Sequence, residues 1–305
     1  FNERLEQLLA SQPSMHTVPL PTVRRVRREG GGIFPPPVFV PHARAVTIAG
    51  RAGEIGLRVI APTGAAKGAY LHLHGGGWAL GAADYQDVAL AALAEATGLC
   101  AVSVEYRLAP EDPFPAAPDD CEDAARWLVE RGAEALGVPR RLTIGGESAG
   151  AHLAALTLLR LRDRRGISGA FVAANLVYGA FDLSKSPSVR RWGDRNLVLS
   201  NPIVDCFNDA FLPGLDLEAR RAPDVSPLYA DLRDLPPALF TVGTLDPLLD
   251  DSLFMEARWR AAGGRTELRV WPDAVHGFNS FPIAMAHAAN EAQHRFLAAS
   301  VASGA

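Results

Sequence analysis

Short apolar runs alternate with longer amphipathic stretches along most of the chain, and this pattern predicts strands and helices in turn. Two strands are predicted within 45–60, followed by strands at 69–73, 99–104, 141–145, 170–177, 237–242 and 267–271. Helices are predicted over 84–97, over 151–162, and from a capping carboxylate at Asp119 or Asp120 to about residue 132. Such alternation indicates a mostly parallel sheet covered by helices on both faces.

Two segments lie outside this alternation, at 1–44 and 179–226. A connection as long as the second segment is improbable without structure of its own. Its stretch 202–212 has helical apolar spacing, and it follows the carboxyl end of a strand. We therefore expect a helical cap over that edge of the sheet. The predicted organisation is the amino-terminal part of the cap over 1–44, the first part of the core over 45–178, the cap insertion over 179–226 and the second part of the core over 227–305.

Composition narrows the class of protein. The chain has 305 residues, 48% hydrophobic residues and a net charge of −4, so it can fill a sizeable core and has no basic footprint for nucleic acid. The basic cluster 24–28 is expected to be a solvated face. No apolar stretch is long enough to span a membrane, and the first residues are typical of an amphipathic helix and not of a signal peptide. Three widely spaced cysteines favour a reducing cytoplasm over a disulfide framework.

The sequence Gly-Glu-Ser-Ala-Gly at 146–150 stands between a predicted strand and a predicted helix. Gly-x-Ser-x-Gly in this context is a nucleophile elbow, a turn so sharp that side chains flanking the serine would collide. The turn lifts the Ser148 hydroxyl clear of the sheet. It also leaves the Ala149 amide at a helix start, where unpaired N–H groups favour negative charge.

A second motif, His-Gly-Gly-Gly-Trp at 74–78, directly follows a predicted strand. Three consecutive glycines disfavour a helix or a strand, so we expect a loop whose backbone something approaches closely. Acyl transfer needs at least two N–H donors aimed at the developing oxyanion. We therefore predict an oxyanion hole formed by the amides of Gly75, Gly76 and Ala149.

An acid and a base follow at the ends of the last two predicted strands. Asp246 comes after strand 237–242 and His276 after strand 267–271, at the edge where an open α/β sheet places its chemistry. The chain order Ser148, Asp246, His276 is that of α/β-hydrolases. In this hypothesis Ser148 attacks, His276 takes and returns the proton, and Asp246 fixes the imidazole tautomer.

Five motifs together carry a family resemblance: His-Gly-Gly-Gly-Trp at 74–78, Tyr-Arg-Leu-Ala-Pro-Glu at 106–111, Gly-Glu-Ser-Ala-Gly at 146–150, Asp-Pro-Leu at 246–248 and His-Gly-Phe at 276–278. In these motifs the chain resembles the bacterial hormone-sensitive-lipase-like (family IV) carboxylesterases of the α/β-hydrolase superfamily. The resemblance covers about residues 45 to 300. It implies the α/β-hydrolase fold with an eight-stranded, mostly parallel sheet, a helical cap, and hydrolysis of carboxylic esters without a cofactor.

One departure bears on the bond that is cleaved. After the elbow the family more often continues Gly-Asn-Leu-Ala, whereas this chain has Ala-His-Leu-Ala at 151–154. This form is also similar to aryl-formamidase-like hydrolases. The acyl bond therefore stays open between an ester and an amide or formamide.

Several residues compete for roles in the site. His152 is a rival base one helical turn after Ser148, but a helix residue behind the elbow more often packs against the sheet. Asp250 is a rival acid, although we expect it at the start of a helix, where a carboxylate stabilises free amides. His72 and His74 have a spacing also used in metal sites, but no third ligand is evident, so no metal is expected. Glu147 is expected to orient groups behind the nucleophile.

The expected function is that of a cytoplasmic serine carboxylesterase that hydrolyses short-chain esters through an acyl-enzyme. The alternatives are an amide or formamide hydrolase (aryl-formamidase-like or a deacetylase) with the same triad and, far behind, a non-catalytic ligand-binding receptor on this fold. We expect no cofactor. Among partners we expect a small-molecule ester, no nucleic acid and no membrane, with a homodimer left open as the assembly state.

Overall fold

Eight strands of the computed structural model form one sheet in the order β1-β2-β4-β3-β5-β6-β7-β8. The structure describes residues 1–34 and 36–302. The strands are β1 Arg44–Gly50, β2 Gly53–Ile60, β3 Gly68–Leu73, β4 Leu99–Glu105, β5 Leu142–Glu147, β6 Phe171–Val177, β7 Ala238–Leu245 and β8 Thr266–Val275. The six strands β4, β3, β5, β6, β7 and β8 are parallel to one another, while β2 is antiparallel to both β1 and β4. The predicted mostly parallel, eight-stranded sheet is confirmed.

The helices are α1 Asn2–Ala10, α2 Leu20–Arg28, α3 Asp87–Thr97, α4 Ala116–Trp127, α5 Ala133–Ala135, α6 Ala149–Arg165, α7 Pro187–Trp192, α8 Asn201–Phe211, α9 Leu249–Ala261 and α10 Ala284–Ala302. The expected carboxylate cap of α4 is wrong, since α4 begins at Ala116 and both candidate residues lie inside it. Asp120 instead accepts hydrogen bonds from the backbone and guanidinium of Arg107.

Helices cover both faces of the sheet, as predicted. Along β3, Tyr70 packs into a cluster with residues of α3 and α10, while its neighbour Leu71 packs into the main core with α4 and α6. Successive side chains of a strand point to opposite faces, so these helices lie on opposite sides. Helix α6 is buried over most of its length, because its alanines let it approach the sheet closely.

The segments 1–44 and 179–226, which lie outside the alternation, both contain short helices. The two segments also contact each other. Glu6 of α1 pairs with Arg195 of the segment 179–226 at 3.0 Å. Arg24 of α2 departs from the expected solvated face, because its guanidinium donates to the carbonyls of Ala79 and Ala109. Pro35 and residues 303–305, which the predicted domain boundaries include, lie outside the described residues.

The length and apolarity of the helices determine whether any of them could span a membrane. Over 1–34 and 36–302, none of the helices combines the length and the hydropathy needed to cross a bilayer.

Candidate active site

Ser148 occupies a strained turn between β5 and α6. Its φ of 58° and ψ of −118° are rare for a residue with a side chain, and such strain clusters at functional sites. A Cβ at Gly146 would lie 2.0 Å from the carbonyl oxygen of Leu73, and a Cβ at Gly150 would lie 1.8 Å from the same atom. Glycine is therefore required at 146 and at 150 chiefly because the elbow packs against the backbone of β3. A collision between side chains at these two positions, which the sequence suggested, is the lesser reason.

The structure brings Ser148, His276 and Asp246 into one hydrogen-bonded chain. The Ser148 Oγ lies 2.9 Å from His276 Nε2, and His276 Nδ1 lies 2.8 Å from Asp246 Oδ2. The other oxygen of Asp246 accepts a hydrogen bond from the backbone of Leu248 at 2.9 Å. Since this carboxylate is buried and held on both oxygens, it favours the imidazole tautomer with its proton on Nδ1. Nε2 is then free to accept the serine proton.

The glycine loop lies directly against the elbow. A Cβ at Gly75 would be 2.8 Å from the carbonyl oxygen of Glu147 and 3.6 Å from the Cβ of Ser148. Within 1–34 and 36–302, the amides of Gly75, Gly76 and Ala149 donate no hydrogen bond. Among the described residues, three amides without a partner thus lie in the elbow and in the loop packed against it, an arrangement compatible with an oxyanion hole.

Tyr106 anchors the start of the glycine loop. Its hydroxyl donates to the carbonyl oxygen of His74 at 2.6 Å, and the two rings stack with centroids 4.1 Å apart. Burial lowers the pKa of His74 to about 4, so the ring is neutral at pH 7. Its Nδ1 lies 2.9 Å from the Gly75 carbonyl oxygen, to which it donates. His74 therefore holds the loop backbone.

Glu147 faces away from the reacting groups. Its Oε2 accepts hydrogen bonds from His72 Nε2 at 3.1 Å and from Gln86 at 3.0 Å. Burial by itself would raise the pKa of Glu147, but the attraction of His72 and its hydrogen bond hold that pKa below the ordinary value. Since Nδ1 of His72 is bonded to Ser103, both of its nitrogens have partners. Glu147 thus joins the elbow to β3 and to Gln86, the residue just before α3.

The side chain of neither rival makes a hydrogen bond to the side chains of Ser148, His276 or Asp246 among the described residues. His152 is buried, with Nδ1 accepting from the Trp78 indole at 3.0 Å and Nε2 donating to the Val225 carbonyl at 2.8 Å. Burial lowers its pKa to about 4. Asp250 accepts from the backbone of Ser188 at 2.8 Å. Both side chains therefore fix the segment 179–226 or the glycine loop, and the one bond from His152 to Ser148 is the helical bond between its amide and the serine carbonyl, 3.2 Å long.

Tyr178 is a site residue that the sequence analysis missed. It directly follows β6, the strand between those that carry Ser148 and Asp246, and its ring packs on His276 with centroids 4.6 Å apart. Its hydroxyl donates to Asn279 at 2.5 Å, and burial raises its pKa far above the ordinary value. Because the carboxyl ends of parallel strands meet at one edge, its place after β6 is the signal that could have identified it.

A cavity of about 450 Å³, measured with its open mouth, extends from Ser148 under the segment 179–226. Its walls are mainly apolar. They are formed by Gly77, Trp78, Ala180, Leu183, Val189, Leu199, Val204, Phe207 and Leu248, with Asp182, Lys185 and Asn208 as polar members. Phe207 closes the space over the glycine loop, since a Cβ at Gly77 would lie 2.3 Å from its ring. Phe211 stacks on Trp78 at 4.6 Å.

Residues 70–280 match the family model described as alpha/beta hydrolase fold. The chain is 38% identical over 231 residues to the carboxylesterase NlhH of Mycobacterium tuberculosis, covering 75% of this chain and 72% of that one. It is 34% identical over 216 residues to the ethyl acetate hydrolase of Pseudomonas putida, covering 70% and 66%.

The solved structures give the same result. A hyperthermophilic esterase from the archaeon Pyrobaculum calidifontis superposes with a TM-score of 0.88 at 29% identity, covering 98% of this chain and 96% of that one. The resemblance to the hormone-sensitive-lipase-like carboxylesterases is thereby confirmed. The chain belongs to the α/β-hydrolase fold family.

Proposed function

We propose that the protein is a serine hydrolase of short-chain carboxylic esters, with Ser148 as nucleophile, His276 as base and Asp246 as its orienting acid. The observation that carries this proposal is the unbroken hydrogen-bonded chain of these three residues beside three free amides. The carboxylesterase and ethyl acetate hydrolase among its relatives support an ester as the substrate.

The geometry supports a two-step reaction. Ser148 Oγ attacks the ester carbonyl carbon while its proton passes to His276 Nε2, and the amides of Gly75, Gly76 and Ala149 bind the oxyanion. The tetrahedral species collapses, and the alcohol leaves with the proton from Nε2. A water molecule then gives a proton to Nε2 and attacks the acyl-enzyme, which releases the acid and restores Ser148.

We propose that 1–44 and 179–226 form the cap of this site. The contacts of Phe207 and Phe211 with the glycine loop support the larger segment as the roof of the cavity. The pair Glu6–Arg195 supports its association with the amino-terminal segment. We further propose a cytoplasmic location, which the free thiols of Cys100, Cys121 and Cys206 support. A homodimer stays a prediction for sedimentation analysis.

The test is hydrolysis of p-nitrophenyl acetate and butanoate by the purified protein. Ser148→Ala should remove nearly all turnover, because only the attacking oxygen is lost, while exposed Ser168→Ala serves as the matched control. An organophosphonate should label Ser148 alone. Labelling of Ser148→Ala at the wild-type rate would overturn the assignment. N-formyl and N-acetyl aryl amines in the same assay test the amide alternative, and turnover of these in preference to the esters would establish it.

A further inference from the structure

One polar side chain in the cavity has no partner within the described part of the protein. Asn208 of α8 is 3% exposed and lines the cavity that contains Ser148. Its side-chain amide makes no hydrogen bond to any residue of 1–34 or 36–302. Buried polar groups in folded proteins nearly always have a partner, and leaving one unmet is costly. The NH₂ group of Asn208 is therefore available to donate a hydrogen bond inside the cavity, and its carbonyl oxygen is available to accept one.

The amide remains accessible. It is absent from the described polar groups that are both unpartnered and sealed among protein atoms, so its polar atoms are not fully covered by the protein. Its helix holds it firmly beside the glycine loop. Phe207, the preceding residue, packs on Gly77, and Phe211, one helical turn further, stacks on Trp78.

The two charged members of the cavity wall are already engaged. Lys185 pairs with Asp205, with Nζ and Oδ1 2.6 Å apart. The carboxylate of Asp182 accepts from the backbone of Ser184 at 2.9 Å and from the hydroxyl of Tyr229 at 3.1 Å. The cation is thus paired and the carboxylate already accepts hydrogen bonds on both oxygens, which leaves Asn208 as the polar wall residue whose side chain has no partner among the described residues.

We propose that Asn208 is a specificity-determining residue that binds an uncharged oxygen, a hydroxyl or a carbonyl, carried by the ester substrate apart from the scissile group. A carboxamide both donates and accepts, which suits such an oxygen. A carboxylate on the substrate is disfavoured, because the wall offers it no unpaired cation and holds the negative charge of Asp182. The inference rests on the proposed esterase function and adds a substrate class to it.

The experiment compares kcat/KM for three esters: ethyl butanoate, ethyl 3-hydroxybutanoate and 2-hydroxyethyl butanoate. The second ester carries its hydroxyl on the acyl part and the third on the alcohol part, so the pair distinguishes the two sides of the cavity. Asn208→Leu replaces the amide by an apolar group of similar size. In Asn208→Leu, kcat/KM for one of the two hydroxylated esters should fall about tenfold more than kcat/KM for ethyl butanoate. This factor is roughly the value of one good hydrogen bond.

Comparing wild type with variant cancels differences in intrinsic reactivity among the esters. Val204→Ala is the matched control, because it changes the cavity volume without touching a polar group. It should alter all three rates by similar factors. If Asn208→Leu fails to fold, as judged by its thermal melt, Asn208→Ala takes its place.

An equal loss for all three esters in the Asn208 variant would overturn the proposal while the esterase function stood. Failure of the wild-type protein to hydrolyse ethyl butanoate or p-nitrophenyl acetate would overturn the function itself. The two failures are therefore distinguished by the wild-type rate.

Discussion

The indole of Trp78 donates a hydrogen bond to Nδ1 of His152 over 3.0 Å, and this bond ties the glycine loop to the helix that begins at the nucleophile. Trp78 has a φ of 57°, so the loop is held in a conformation that side-chain-bearing residues rarely adopt. The other nitrogen of His152 donates to Val225, at the end of the segment 179–226. One neutral imidazole thus connects the glycine loop, the elbow helix and the segment 179–226.

We expect His152→Phe to lower kcat about 10- to 100-fold with a smaller change in KM. The Trp78 indole and the Val225 carbonyl would lose their partner, and the loop amides would drift from the oxyanion position. His152→Gln, which keeps a donor and an acceptor, should recover part of the rate. The exposed His287→Phe is the control. A pure rise in KM would contradict a positioning role.

Burial of His152 makes stability depend on pH. Its pKa is about 4 in the folded protein and 6.5 when unperturbed, so between these values the unfolded chain binds more protons. Its contribution to stability is therefore complete above pH 6.5 and is lost as the pH falls towards 4. Thermal melts of wild type and His152→Gln should converge over this window. Other titrating groups, such as Asp251 with its pKa raised to about 7 by burial, cancel in the difference.

Asp246→Asn should reduce kcat by about four orders of magnitude, the effect that the wrong imidazole tautomer has in chymotrypsin-type serine proteases. Asp250→Asn is the matched control, because Asp250 bonds the backbone of Ser188 and not His276. Steady-state rates on one aryl ester suffice. The roles of the two acids would have to be exchanged if Asp250→Asn proved more damaging.

Gly75→Ala should abolish most activity without unfolding the protein. Its new Cβ would lie 2.8 Å from the Glu147 carbonyl oxygen, so the loop must move off the elbow and misplace two of the three amides. Loss of one oxyanion donor costs about 100- to 1,000-fold in kcat. Gly64→Ala, with no atom within 4 Å of the new Cβ, is the control. An unchanged kcat in Gly75→Ala would remove this loop from the oxyanion hole.

Specificity should fall as the acyl chain lengthens, because the cavity is closed by packed side chains and excess methylenes meet steric cost. Phe207→Ala should move the preferred p-nitrophenyl ester to longer chains, since its ring closes the space above Gly77. The exposed Phe254→Ala should leave the preference unchanged. Wild-type rates that climb to triolein, with activation at the oil–water interface, would refute this view of the cavity.

The features that could be predicted from the sequence are those that depend on residues close together in the chain. The sheet follows from apolar periodicity, and the elbow and the glycine loop follow from glycines at turns where neighbouring atoms leave no room for a Cβ. Tyr178 could have been identified from its place after β6. Asn208 and the Trp78–His152 bond could not, because each depends on how segments far apart in the chain pack together. The start of α4 was missed for a related reason: Asp120 looked like a cap but serves as the partner of Arg107.

The separation of the proposed triad along the chain also determines when, during synthesis, Ser148 can become reactive. The bond between Ser148 and His276 spans 128 residues, and Asp246 and His276 follow the last two strands of the sheet. During synthesis the elbow emerges long before β7 and β8, so a nascent chain that has not yet reached His276 holds the serine without its proposed base. The hydroxyl is then an ordinary alcohol. In the proposed mechanism, Ser148 can therefore become a strong nucleophile only after β7, β8 and His276 have been made and these last two strands of the sheet have paired.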